Sequence, residues 1–172
     1  DVFKGNFLGL AAATDNVYIA ASANKNDRAA GVGISEDGHI FALNLEQKQI
    51  RSLDVTNFAR FYAHGHRLYV FTAEQFGNEL NYRLSAYSSA LKRLNGADGI
   101  VCESLPQWIN FSNNKVSILC HVRVSLSSWN FMTISSEDGS LSASVMDSRE
   151  IVQAVPDKVG TWLFLREEGT RY

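Results

Sequence analysis

Residues 57–72 read NFARFYAHGHRLYVFT. The first half, Phe58 to Tyr62, is mostly apolar. It meets a glycine flanked by two histidines, His64-Gly65-His66, and is followed by Leu68-Tyr69-Val70-Phe71. Short apolar runs on either side of a small polar turn predict a strand, a tight turn and a second strand. A strand with one wet face alternates apolar and polar side chains. Leu68 to Phe71 do not alternate, so this second strand is expected to be covered on both faces.

The same pattern stands about 50 residues away on each side. Phe7-Leu8-Gly9-Leu10, a turn at Asp15-Asn16 and Val17-Tyr18-Ile19-Ala20-Ala21 precede it. Trp108-Ile109-Asn110-Phe111, a turn at Asn113-Asn114 and Val116-Ser117-Ile118-Leu119 follow it. Phe7, Phe58 and Trp108 are 51 and 50 apart, and Val17, Leu68 and Val116 are 51 and 48 apart. A period of about 40–50 residues holding several short strands is the sequence mark of propeller blades. The chain is therefore read as all-β, a partial β-propeller of about three and a half four-stranded blades, with a β-sandwich as the alternative. The blades fall at about residues 7–56, 57–106 and 107–157, with a partial blade over 158–172 that begins at Thr161-Trp162-Leu163-Phe164-Leu165.

Later strands of each repeat follow a looser pattern. Ser-Glu-Asp-Gly occurs at Ser35 and again at Ser136, 101 residues on. Asp-Gly suits a two-residue hairpin turn because both central positions favour φ > 0, so turns are expected at Asp37-Gly38 and Asp138-Gly139. Ile34, Leu84 and Ile134 keep a spacing of 50; a rival register pairs Ile40 with Leu84. Helical periodicity is weak, and its best candidate is the short Ser88–Arg93. The charged segments Gln47–Asp54 and Ser148–Val155 suit outer rim strands. Asn24–Ala30, Gln75–Asn81 and Ser125–Asn130 read as polar loops between second and third strands.

Two resemblances attach to these residues. Asp37-Gly38-His39-Ile40-Phe41-Ala42-Leu43-Asn44 resembles the strand segment of quinoprotein-type repeats. Ser35-Glu36-Asp37-Gly38-His39-Ile40-Phe41 is similar to the Asp-box of sialidase-type propellers, which sits in the hairpin between the third and fourth strands of a blade. Both imply a propeller fold rather than an activity, and neither carries a cofactor or a catalytic set onto this sequence.

Composition sets further bounds. The 172 residues are 45% hydrophobic and 20% charged, which is globular. The net charge of −2, with no basic stripe, argues against a nucleic-acid partner or a polybasic membrane surface. Apolar runs are too short to span a bilayer as helices. The start at Asp1, without a signal-like segment, is read as a processed or excised piece. Two cysteines, Cys102 and Cys120, are read as buried thiols of an intracellular protein, with a disulfide between them as the alternative. Asn110-Phe111-Ser112 matches a glycosylation sequon but falls in an expected strand.

Chemistry-bearing motifs are sparse. His64 and His66 flank a turn glycine and are read as solvated turn residues, not metal ligands. His121 beside Cys120 points to the opposite face of its strand. The aspartates sit in expected turns, where Asp caps its own backbone. No Gly-rich phosphate loop or nucleophile elbow occurs, so no catalytic, cofactor-binding or metal-binding residue is assigned. Trp129, flanked by Arg123 and Arg28 from neighbouring loops, is the candidate partner-binding anchor.

These readings give a non-catalytic protein-interaction or scaffold propeller, part of a longer chain or larger assembly. Its partner is another protein or the remaining blades, and self-association would be a further way to cover exposed blade faces. The alternative is a glycan-binding or sialidase- or lyase-like propeller enzyme whose site needs additional blades.

Overall fold

A computed structural model describes residues 7–22, 36–76, 79–94, 101–102, 108–112, 115–121, 129–135, 141–147, 150–156 and 161–166. The chain divides into two compact units, 1–100 and 101–172.

Among its described residues the first unit contains six antiparallel strands, each hydrogen-bonded to the next in sequence: β1 (Phe7–Ala12), β2 (Asn16–Ser22), β3 (Glu36–Asn44), β4 (Gln49–His64), β5 (Arg67–Phe76) and β6 (Glu79–Ser88). β4 is the pivot of this unit. Its first half, Gln49–Val55, pairs with Asn44–Gly38 of β3. Its second half pairs with β5, from Phe58 opposite Thr72 to His64 opposite Arg67. Between the halves Asn57 takes φ +55, a left-handed conformation that Asn tolerates better than most residues. One strand thus ends the first repeat and opens the second.

The decisive stretch folds as its sequence predicts. Gly65 and His66 close the β4–β5 hairpin, with Gly65 at φ +57. Leu68, Tyr69, Val70 and Phe71 are each at most 1% exposed, so β5 is covered on both faces. The repeat shows in the irregularities as well. β1 shifts register between Phe7 and Gly9, and β4 between Phe58 and Arg60, at positions 51 residues apart.

Four expectations are corrected. Asp37 and Gly38 do not form a turn; they lie inside β3, with Gly38 opposite both Ser22 and Val55. The β3–β4 turn is at residues 45–48, where Lys48 takes φ +51. The Asp-box resemblance therefore does not mark a hairpin here. The reason is packing: a Cβ at Gly38 would stand 3.0 Å from the Cβ of Phe58, so glycine admits the next repeat's phenylalanine. Second, the rival register is the structural one. Ile40 pairs with Ala20 and Leu84 with Phe71; Ala20 and Phe71 are one 51-residue period apart. Ile34 lies outside the described residues. Third, the helical candidate Ser88–Arg93 is instead the end of β6 at Ser88, a turn at residues 89–90 closed by Leu91 N–H to Ser88 O at 2.9 Å with Leu91 at φ +60, and an isolated bridge from Arg93 to Tyr87. Fourth, the expected loop Gln75–Asn81 is largely strand, with Gln75 opposite Leu80 and Phe76 opposite Glu79.

The second unit holds the short β7 (Val101–Cys102), then β8 (Trp108–Ser112), β9 (Lys115–His121), β10 (Trp129–Ser135) and β11 (Leu141–Asp147), a four-stranded antiparallel meander. β12 (Glu150–Pro156) pairs with β13 (Thr161–Arg166) in a separate two-stranded sheet. The described part of the segment expected as the third repeat's outer rim, Ser148–Val155, thus pairs from Glu150 onward with the strand that follows it. Asp138-Gly139 and Asn24–Ala30 lie outside the described residues, and so do the side chains of Cys102 and Cys120.

Candidate functional site

The polar chemistry of the first unit gathers where the first repeat meets the second. The apolar contact is built first. Tyr18, Ala20, Ile40, Ala42 and Val55 of the first repeat pack against Phe58, Leu68 and Val70 of the second. Two glycines make the approach close. Phe58 lies over Gly38, and Phe61 Cε1 would stand 3.1 Å from a Cβ at Gly9. The two phenylalanine rings are 6.0 Å apart and tilted by 48°, a spacing within the favourable range for aromatic pairs.

At one end of this contact the two β-turns touch. Thr14 N–H donates to Gly65 O at 3.0 Å, and His66 Nδ1 lies 2.5 Å from Asp15 Oδ2. Thr14 and Gly65, and likewise Asp15 and His66, are 51 residues apart. The repeats therefore meet through equivalent positions of consecutive turns, a head-to-tail contact. Beside them Asn16, only 4% exposed, is shared by three partners. Its Nδ2 donates to Ser89 O at 2.7 Å and to Tyr18 Oη at 3.2 Å, and its Oδ1 accepts from Asn44 Nδ2 at 3.2 Å. Asn44 Oδ1 in turn accepts Gln47 N–H at 2.7 Å.

This network floors an open cleft of about 290 Å³, lined by Asp15, Asn44, Glu46, Gln47, Arg51 and Ser89 among others. Such a lining can hold water or a small polar group. It does not bring together a nucleophile, a base and an oxyanion donor, the set that acyl transfer needs. Among the described residues no three His, Cys, Asp or Glu side chains gather as metal ligands. Burial pushes the Tyr18 hydroxyl above the usual phenol range; the Asn16 hydrogen bond opposes this and the nearby Asp15 charge adds to it. Burial also pushes Tyr69 up to about 12, against the opposing pull of Arg67.

Two further side-chain pairs cross neighbouring strands. His39 Nδ1 lies 2.6 Å from Asp54 Oδ1, and Arg83 Nη2 donates to Glu74 Oε2 at 2.9 Å, with Nε 2.8 Å from Oε1. Of the candidate partner-binding residues, Arg28 and Arg123 lie outside the described residues. Trp129 opens β10, opposite His121 and Asp147, and its side chain is not among those described. The sequence reading missed Asp15, Asn16 and Ser89. The available signal was that Asp15 and His66 are separated by the repeat period itself.

No protein family and no curated protein matches this sequence. Solved structures do. Over 97% of its length the chain is similar to the β-propeller domain of the trilobed protease from Pyrococcus furiosus, with a TM-score of 0.60 at 11% identity. It is also similar over 97% of its length to the acylaminoacyl peptidase from Pyrococcus horikoshii, with a TM-score of 0.55 at 9% identity. The chain is a partial β-propeller. It spans about half (51%) of the first matched chain and 32% of the second. At these identities the likeness concerns the fold alone.

Proposed function

We propose that the chain is a non-catalytic interaction segment of a β-propeller, acting as a scaffold within a larger protein or assembly. One observation carries this reading: several charged and amide side chains of the first unit fasten strands and repeats to each other. His66 engages Asp15, His39 engages Asp54, Arg83 engages Glu74, and Asn16 engages Ser89. Polar groups committed in pairs to architecture do not supply a convergent reactive set. The partner-binding residues proposed for the scaffold are Trp129, Arg123 and Arg28, chosen from the sequence because Trp and Arg dominate interface hot spots. The partner is another protein or further blades.

The comparisons favour a second reading, that the chain is a propeller segment of a peptidase. Both similar structures are named as a protease or a peptidase. One experiment separates the readings. The purified chain, and the longest natural polypeptide that contains it, are assayed against acyl-peptide and free-amino-terminal chromogenic substrates. In parallel they are used to capture binding proteins, with Trp129→Ala and Arg123→Ala as controls. Capture that both substitutions weaken, without hydrolysis, is the expected result. Hydrolysis by the longer polypeptide alone would support the peptidase reading. Hydrolysis by this chain by itself would overturn the non-catalytic assignment.

A further inference from the structure

Among the described residues, the contact between the first two blades has a counterpart whose leading residues are exposed. The second blade presents Phe58, Phe61, Ala63, Leu68 and Val70 to the first. One 51-residue period earlier these positions are Phe7, Leu10, Ala12, Val17 and Ile19. The pairing is preserved as well as the chemistry. Phe61 stands opposite Val70 and Ala63 opposite Leu68; Leu10 stands opposite Ile19 and Ala12 opposite Val17.

Their surroundings differ. Leu68 and Val70 are fully buried and Phe58 is 6% exposed, whereas Phe7 is 68% and Leu10 64% exposed. Alternation along a strand puts Leu10 and Ile19 on the face opposite Tyr18 and Ala20, so this is not the face turned toward the second blade. Val17 and Ile19, with Leu43 and Phe41 opposite them on β3, extend it and are half-buried. A contiguous apolar sheet face of this kind is uncommon on a solvent-exposed surface unless something binds there.

We propose that this face of the first blade is a docking surface for another blade of the same propeller. That blade would present small and aromatic residues in the pattern of Tyr18, Ala20, Ile40 and Ala42. Continuity with the existing interface carries the assignment: the same positions, in the same register, already accept such a face one period later. The contact is head-to-tail, so it propagates rather than ending after one pair. The similar P. furiosus propeller, about half of which this chain spans, leaves room for such a blade. The proposal rests on the propeller fold and not on the interaction role proposed above, so either can fail without the other.

The test supplies such a neighbour. Residues 7–56 are joined directly ahead of residues 6–172, which recreates the natural Thr56-Asn-Phe junction, because Asn6-Phe7 lies one period before Asn57-Phe58. Leu10→Lys at the parental Leu10 is then compared in the original and extended chains. It is expected to move the melting midpoint by less than about 2 °C in the original chain and by about 5–10 °C in the extended one, given roughly 2–4 °C per kcal/mol for chains of this size. Equal, small shifts in both would overturn the proposal.

A second measurement does not depend on the extended chain folding. The 172-residue protein should enhance the fluorescence of an apolar-surface dye, and Leu10→Lys with Ile19→Lys should remove most of that enhancement. Absence of dye binding would mean that other residues of the chain cover the face, and would overturn the assignment. A discrete dimer by light scattering, returned to monomer by Leu10→Lys, would assign the face to a second copy and would overturn it too.

Discussion

β2 and β5 hold the same place in consecutive repeats and have closely similar sequences, yet they are covered differently. Val17-Tyr18-Ile19-Ala20 corresponds to Leu68-Tyr69-Val70-Phe71. In β5 all four side chains are buried; in β2 Tyr18 and Ala20 are buried while Val17 and Ile19 are only half-buried. The difference does not lie in the strands. The second repeat has the first stacked on its Phe58–Phe61 face, and the first repeat's equivalent face carries the exposed Phe7 and Leu10. An unbroken apolar strand states a demand for two covered faces. Whether both are covered depends on neighbours that the strand itself does not encode.

Truncating the two strands at matched positions gives the largest contrast. Leu68→Ala should cost about 2–5 kcal/mol, the range for large-to-small changes at a buried aliphatic site. Val17→Ala, one period earlier and half-exposed, should cost less than about 1 kcal/mol, because less apolar area returns to water. Denaturant melts of the two variants measure the difference. Equal costs would mean that the first repeat's face is as well covered as the second's.

Alkaline titration gives the next contrast. Tyr69 is buried as the neutral phenol, and its pKa is pushed up to about 12 from the ordinary value of 10.0. Between these values the unfolded chain has released a proton that the folded chain retains. Stability should therefore be unaffected by this group below about pH 10, and should fall as pH rises to about 12, by about 2 kcal/mol at the usual 1.36 kcal/mol per unit. Tyr69→Phe should flatten that part of the profile. A slope unchanged by Tyr69→Phe would place the alkaline loss elsewhere, with Tyr18, whose shift has the same direction, as the next group to replace.

Gly38→Ala tests the contact between the repeats directly. The added Cβ meets Phe58 Cβ, an atom held close to its own backbone, so strain of about 1–3 kcal/mol is expected. Gly9→Ala should cost less, because the atom it meets is the edge of the Phe61 ring, which can turn aside. If both are neutral in thermal melts, the two repeats are not packed this closely.

What the sequence revealed and what it hid divide along the same physical line. Features set by local chemistry were legible: the turn at Gly65-His66, the apolar runs at Phe58 and Leu68, and the 51-residue period that gives the propeller. Features set by distant contacts were not. Asp37-Gly38 has the composition of a hairpin turn, but Gly38 serves the approach of Phe58, twenty residues away. Gln75–Asn81 looks like a loop because it is polar, yet cross-strand pairing beyond Glu74 and Arg83 keeps much of it extended. At the candidate site, the Trp129 cluster was proposed on composition and its side chains remain outside the described residues. The Asn16 network was missed because a lone turn asparagine resembles any other, and only its reach to Ser89 sets it apart.

The smallest effect concerns the link that sits nearest solvent. His66 and Asp15 are well exposed, at 66% and 39%, and where the imidazole is protonated an exposed ion pair of this kind is worth about 0.2–1 kcal/mol. Asp15→Ala should therefore cost less than about 1 kcal/mol, and raising the salt concentration should shrink the difference from the parent chain. Thr14 N–H to Gly65 O and the Phe58–Leu68–Val70 packing would persist without the carboxylate. Those apolar contacts, not the charge pair, are what the first repeat offers the second. A loss above about 2 kcal/mol in Asp15→Ala, insensitive to salt, would reverse this ranking. It would mean that the turns set the spacing of the blades and that the apolar faces only fill the gap between them.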